Sequence, residues 1–251
     1  MSSTLKKNRN LVFCIFILSL LFKPLWLFNN QNLGIPGDDM SYWLHSATIA
    51  FDYDLDYKND YKFDSNIFNP ETNVPIHPPG AGYLASPFVF LMSQFDKIID
   101  NSVENTRSNP VKSFAYLGFF ISGLFYTFLG TKLLSKIINK FNNKHAGLLM
   151  FCGLMSTLIH FVSTRFLMSH AIEFFLCSAL IYIFEKDNTK NFTTNDFTKL
   201  LLTYFCLAIT RPSTFLYSLI LILVYRKRFM LDGKTIPIYI IQFLGFSSFY
   251  V

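Results

Sequence analysis

Two neighbouring carboxylates, Asp38 and Asp39, stand in the stretch Gly37-Asp38-Asp39-Met40-Ser41-Tyr42, just after the first apolar run of the chain. Carboxylates close to a membrane surface are costly unless something uses them. The same hydrophilic segment continues through Asp52, Asp54, Asp56, Asp60 and Asp64, then closes on His77-Pro78-Pro79-Gly80. Further along, Ser163-Thr164-Arg165 with Ser169-His170, and then Thr210-Arg211-Pro212, fall at turns between apolar runs. A carboxylate can take a proton, and a guanidinium can grip a phosphate through paired N–H donors. This set suits an anionic substrate anchored in a membrane.

The elements that must position these residues are read from composition. Of the residues, 51% are hydrophobic and only 15% charged, with 30 Phe in 251 positions. A soluble domain of this size would carry charge on about a quarter of its residues. Apolar runs near the length of a bilayer crossing recur from end to end, so the expected class is all-α, a polytopic transmembrane helical bundle in a single domain. The net charge of +6 does not point to nucleic acid, because the basic residues are scattered between apolar runs rather than gathered in a stripe. The four cysteines, Cys14, Cys152, Cys177 and Cys206, lie inside apolar runs without ligand spacing and read as small buried hydrophobes.

Residues 1–10 form a basic cytoplasmic tail, and 11–29 the first span. No small-residue cleavage site follows that span, which argues for an uncleaved anchor over a signal peptide. Residues 30–112 form a long acidic loop holding eleven of the sixteen acidic residues against five Lys and Arg, net negative by six. Within it, 40–51 and 81–95 are expected as short helices at the membrane interface. Further spans occupy 113–251: about 114–134, 147–162, 171–184, 200–209 and 215–225, with a last apolar run from 236 onward. The chain stops inside that run and is expected to be incomplete. With the amino terminus inside, Lys132, Lys136, Lys140 and Lys144 fall in the cytoplasm, as does Arg226-Lys227-Arg228. The same parity puts Asp38, Asp39, His77, Arg165, His170 and Arg211 on the outer face.

Each of these residues also has a structural reading. Asp38 and Asp39 would suit the first turn of a helix. His77 belongs to a rigid Pro-rich turn. The Asp52, Asp54, Asp56 alternation reads as a solvated face or loose strand rather than a metal site. Arg165 and Arg211 could snorkel to lipid phosphates, and His170 with Glu173 could form a buried polar pair linking two helices.

Taken in order, Gly-Asp-Asp-x-x-Tyr after the first span, an Asp-x-Asp-x-Asp loop and His-Pro-Pro-Gly leading into Leu-Ala-Ser-Pro resemble the GT-C glycosyltransferases. The likeness is to the branch that uses polyprenyl- or dolichyl-phosphate-linked mannose or aminoarabinose. Ser169-His170-Ala171 and Thr210-Arg211-Pro212 also resemble family patterns. The resemblance implies an inverting displacement on a polyprenyl-phosphate sugar at the outer face of a cytoplasmic membrane. The acceptor would be a glycan, lipid or protein. It implies catalysis by Asp38 as general base, with Asp39 standing where the family usually has Glu. Arg165, His170 and Arg211 would stabilise the leaving phosphate, and His77 would contact substrate. Some members of the family use a divalent metal at such acidic positions, and an Asp pair could contribute to one; no cofactor is otherwise implied. A lipid-linked sugar transporter or flippase would place charge inside the spans, and a non-catalytic membrane scaffold would have no need of Asp38.

Overall fold

The computed structural model describes residues 37–60, 68–69, 71–99, 102–108, 110–141, 153, 157–186 and 192–225. The first span and the last apolar run of the sequence reading lie outside the described residues. So does most of the third expected span. The described residues are predominantly helical and contain no strand; one isolated bridge joins Phe68 to Pro75.

Helix α1 runs Gly37–Ala47, with both aspartates in its first turn, where carboxylates favour the positive end of the dipole. Trp43, Leu44 and Ala47 are fully buried along it. A π-helical turn, Thr48–Asp52, follows, and Tyr53 ends the helix in a left-handed conformation at φ 62°. That geometry is strained for a non-glycine residue, and it turns the chain into the acidic loop. There the Asp54 carboxylate accepts the Asp56 N–H and the Asp56 carboxylate accepts the Lys58 N–H, two Asx turns in place of a strand.

Helix α2 spans Gly80–Ile98, longer than the short interfacial segment expected over 81–95, and Pro87 does not break it. Pro87 has no N–H for the Tyr83 carbonyl, but the Ser86 hydroxyl donates to that carbonyl at 2.8 Å. A short helix α3, Val103–Ser108, and a 3₁₀ turn, Pro110–Lys112, lead into α4, Phe114–Phe141. The start of α4 is capped twice. Asp96 of α2 accepts the N–H groups of Phe114 and Ala115 at 2.8 and 2.7 Å, and the Ser113 hydroxyl accepts that of Tyr116 at 3.1 Å.

Four more elements pack on the later part of α4 or on each other: α5, Thr157–Ser163; α6, His170–Glu185; α7, Thr194–Thr210; and α8, Pro212–Ser218. A single turn, α9, Ile220–Val224, ends the described chain. α7 starts six residues before its apolar stretch because a capping box joins Thr193 and Asp196. Over the expected sixth span α8 and α9 follow each other through Leu219, which keeps helical backbone angles, as one short apolar helix, Pro212–Val224.

α4 is the spine, about 42 Å long at 1.5 Å per residue. α2 runs antiparallel along its first half, from the Leu84 carbonyl bonded by the Tyr126 hydroxyl to the Asp96 cap. α6 runs parallel to its second half, from Phe174 beside Gly130 to the Lys140 ammonium on the Glu185 carbonyl. α7 returns antiparallel to α6, so its carboxy-terminal end comes back to the start of α2. Gly80 and Thr210 touch there so closely that a Cβ on Gly80 would sit 2.6 Å from the Thr210 nitrogen. Gly118 plays the same part between α4 and α2, where a Cβ would lie 2.5 Å from the Phe88 carbonyl oxygen. The starts of α1, α2 and α6 and the end of α7 therefore meet beside the middle of α4. Among the described residues α4 alone is long and apolar enough to cross a membrane.

The acidic loop is fastened to this frame by charge. Arg107 of α3 lies between Asp52 at 2.6 Å and the fully buried Asp60 at 2.8 Å, while its carbonyl accepts the Trp43 indole N–H. One guanidinium cannot neutralise two carboxylates equally, and burial pushes Asp60 up to about 6. The folded chain thus holds the Asp60 proton to a higher pH than the unfolded chain, whose value is near 3.8. The fold should lose stability from this group as pH rises from about 4 to about 6, by at most about 3 kcal/mol. Asp60→Asn should remove that slope, measured as the pH dependence of thermal unfolding for the two proteins side by side.

Candidate functional site

The meeting of helix ends gathers all six residues singled out from the sequence. Adjacent positions on α1 point in different directions, so Asp38 and Asp39 part company. Asp39 is buried, with its side chain 7% exposed, and receives a bidentate grip from Arg165: Nε to one oxygen at 3.1 Å and Nη2 to the other at 3.0 Å. Burial pushes the Asp39 carboxyl above its usual range, and the Arg165 guanidinium pulls against that shift. Asp38, by contrast, is 61% exposed, with Oδ1 lying 3.2 Å from His77 Nε2.

A second polar group occupies the ends of α6 and α7. Glu173 lies 3.4 Å from His170 Nδ1 and 3.6 Å from Arg211 Nε, and the Thr214 hydroxyl donates to its other oxygen. Phe161 of α5 lies against the His170 ring, with centroids 3.9 Å apart. The link between the two groups is Ser169. Its side chain neighbours Tyr42 of α1, and its hydroxyl lies 3.4 Å from Arg211 Nη1. Asp38 and Asp39, His77, Arg165, His170 and Arg211 thus belong to one continuous polar cluster. His170 and Glu173 are one turn apart on α6 and half-buried, so their pair lies within one helix; the link between helices is made by Glu173 to Arg211 and to Thr214 of α8.

Several members were not singled out from sequence. Ser41, Tyr42 and His45 stand three, four and seven residues after Asp38, a helical face that the motif Gly37 to Tyr42 shows only in part. Ser169 stands next to His170, and nothing in its type marks it as the bridge. Arg165, expected to face a phosphate, commits Nε and Nη2 to Asp39, leaving Nη1 as its remaining nitrogen.

A divalent cation needs several carboxylate or carbonyl oxygens converging on one point. Here both Asp39 oxygens face Arg165, one Asp38 oxygen faces His77, and Asp54 and Asp56 close Asx turns. Among the described residues no three His, Cys, Asp or Glu side chains are arranged to hold a metal ion. The described residues do not fit that cation. Cys177 and Cys206 are both unpaired thiols, half-buried against the apolar core.

Compared with family models, with curated proteins and with solved structures, the chain matches none.

The bidentate pair makes a specific demand. Removing Arg165 leaves a buried carboxylate without its partner, whereas removing both leaves none; Arg165 is partly exposed and can reach water when Asp39 is removed. Arg165→Ala should lower the thermal midpoint more than the Asp39→Ala, Arg165→Ala double substitution does. The test is a double-mutant cycle on the purified chain.

Proposed function

We propose that the chain is a multi-pass membrane glycosyltransferase of the GT-C type, working on the outer face of a cytoplasmic membrane. It takes a sugar from a polyprenyl-phosphate donor and passes it to an acceptor hydroxyl. The observation that carries this reading is the contrast between the two aspartates. One carboxylate is locked by an arginine, and its neighbour is exposed beside His77, while a second group holds His170 and Arg211 on Glu173.

Asp38 is the group open to an acceptor. It takes the hydroxyl proton as that oxygen forms its bond to the anomeric carbon from one side. The bond from that carbon to the phosphate oxygen breaks on the other side, and polyprenyl phosphate leaves with the electron pair, inverting the centre. Arg211 and the remaining nitrogen of Arg165 supply positive charge to the leaving phosphate, with His170 beside them. The starts of α2 and α6 add backbone N–H groups and the positive ends of two helices on the same side. Asp39 acts through Arg165 by fixing its direction.

The membrane part of the reading is supported by α4 and by the apolar side chains left outward on its neighbours. Phe125 and Phe128 of α4, Leu202 of α7 and Leu216, Ile220 and Leu223 of α8 and α9 are all exposed. Water-facing helices of this size would not carry so many. α6 and the second half of α4 run together from the site to Lys140 and Glu185, so the site stands at one end and the basic residues at the other. That is the polarity the positive-inside rule asks for if the site faces outward.

The test is sugar transfer in membranes carrying the chain, offered labelled polyprenyl-phosphate sugars. Wild type should transfer and Asp38→Asn should fall by a factor of at least about 100 at equal expression. Arg211→Ala should also lose transfer, while retaining the Asp39–Arg165 half of the site. Equal transfer by wild type and Asp38→Asn would take Asp38 out of the mechanism. Absence of transfer by either, with all donors, would favour the scaffold reading.

A further inference from the structure

One face of α1 holds His77 from four directions. Asp38 meets its imidazole at 3.2 Å, and the Ser41 hydroxyl accepts its N–H at 3.2 Å. Tyr42 stacks on its ring, with centroids 5.4 Å apart and planes 22° from parallel. His45 reaches its carbonyl oxygen through Nε2 at 2.8 Å. These four residues stand at i, i+3, i+4 and i+7, so the whole clasp is one stripe of a single helix. Both backbone groups of His77 and its ring are fixed at once.

His45 is the fully buried member of the clasp, and its hydrogen bonds permit one arrangement. A carbonyl oxygen only accepts, so Nε2 carries the proton and donates to His77. Nδ1 must then accept, and its partner is the Tyr57 hydroxyl at 2.7 Å. With its proton turned to His45, Tyr57 can only accept from the Tyr83 hydroxyl, 3.2 Å away. The chain therefore points one way, from Tyr83 through Tyr57 and His45 to the His77 carbonyl. Burial lowers the His45 value to about 4, so the ring stays neutral and keeps this tautomer at physiological pH. The ring has no room to swing: Tyr57 and Tyr83 both meet it edge-on, and Gly82 lies against its Cβ.

We propose that His45 is a positioning residue for the proton-accepting centre: by holding the His77 carbonyl it sets the His77 imidazole against Asp38 Oδ1, which turns Oδ2 toward the acceptor. The proposal rests on the reading of Asp38 as the base. His45 itself touches no reacting atom, and because the chain ends on a carbonyl it delivers no proton to the imidazole. Its effect is geometric.

Three full-length variants separate placement from folding. His45→Phe keeps a planar ring and loses both hydrogen bonds. His45→Gln keeps an N–H donor at nearly the same reach. Tyr57→Phe keeps the packing and removes only the hydroxyl that fixes the tautomer. Two readouts are taken on each: the rate at which diethyl pyrocarbonate modifies His77, followed by peptide mass spectrometry, and the kcat and KM of sugar transfer. His45→Phe should make His77 react several-fold faster and lower kcat by about 100-fold, with KM for the donor within about twofold of wild type. His45→Gln should restore most of both, and Tyr57→Phe should fall between. If His45→Phe does not fold, Tyr57→Phe alone carries the test. Unchanged His77 reactivity in the folded variants overturns the proposal, and so does a loss of transfer that His45→Gln fails to rescue. A shift in His77 reactivity in a protein that transfers no sugar supports the placement and removes the reading of Asp38 as base.

Discussion

The ion pair between Asp39 and Arg165 is the constraint on which the arrangement turns. It joins residues 126 positions apart, and it does so where solvent is largely excluded. A carboxylate in that position without its partner would cost several kcal/mol, so α1 has one orientation in which it can settle. Once Asp39 is matched to the turn before α6, the rest of α1 is fixed by helical geometry. Trp43 and Leu44 enter the core. The face bearing Asp38, Ser41, Tyr42 and His45 turns toward the His77 loop, and Tyr42 reaches Ser169.

The same constraint explains how two identical neighbours come to differ. Consecutive positions on a helix point about 100° apart, so a carboxylate pair in a first turn cannot present both members to one surface. The inner one is spent on architecture, and the outer one is left in contact with solvent and an imidazole. Environments that separate two carboxylates in this way are how one residue type fills two roles in a site. On the proposed reading, the first aspartate of the motif does chemistry and the second holds an arginine that helps bind the donor.

Much of the frame is legible in the chain. The helices over 37–47, 114–141 and 170–185 follow from apolar runs and from acids or caps at their starts. What escapes is set by local chemistry that hydropathy does not register. α7 begins in polar residues because Thr193 and Asp196 cap each other, and α2 continues through Pro87 because Ser86 occupies the orphaned carbonyl. For the site, residue type and order pointed to the six charged or ionisable members, since such groups are rare between apolar runs. Their partners were not legible. Which oxygen faces which arginine, and that Ser169 stands between the two halves, depends on contacts between segments far apart in the chain, 42 residues for Ser169 with Arg211 and 126 for Asp39 with Arg165.

The charge arrangement of the cluster bears on how an anion would enter it. Each guanidinium already faces a carboxylate, Arg165 with Asp39 and Arg211 with Glu173, so neither stands as a bare cation in wait for phosphate. The two engagements are unequal. Asp39 takes Arg165 by two short hydrogen bonds, whereas Glu173 lies 3.6 Å from Arg211 and is shared with His170 and Thr214. Arg211 is thus the guanidinium that a phosphate can win, because Glu173 keeps two other partners when it lets go. Arg165 would contribute without moving. On the proposed reading an anion bound there would also lie near the starts of α2, which has no acid in its first turn, and α6, whose first turn carries Glu173. On the proposed reading the donor would be held by one arginine that shifts and one that stays, with the exposed Asp38 left for the acceptor.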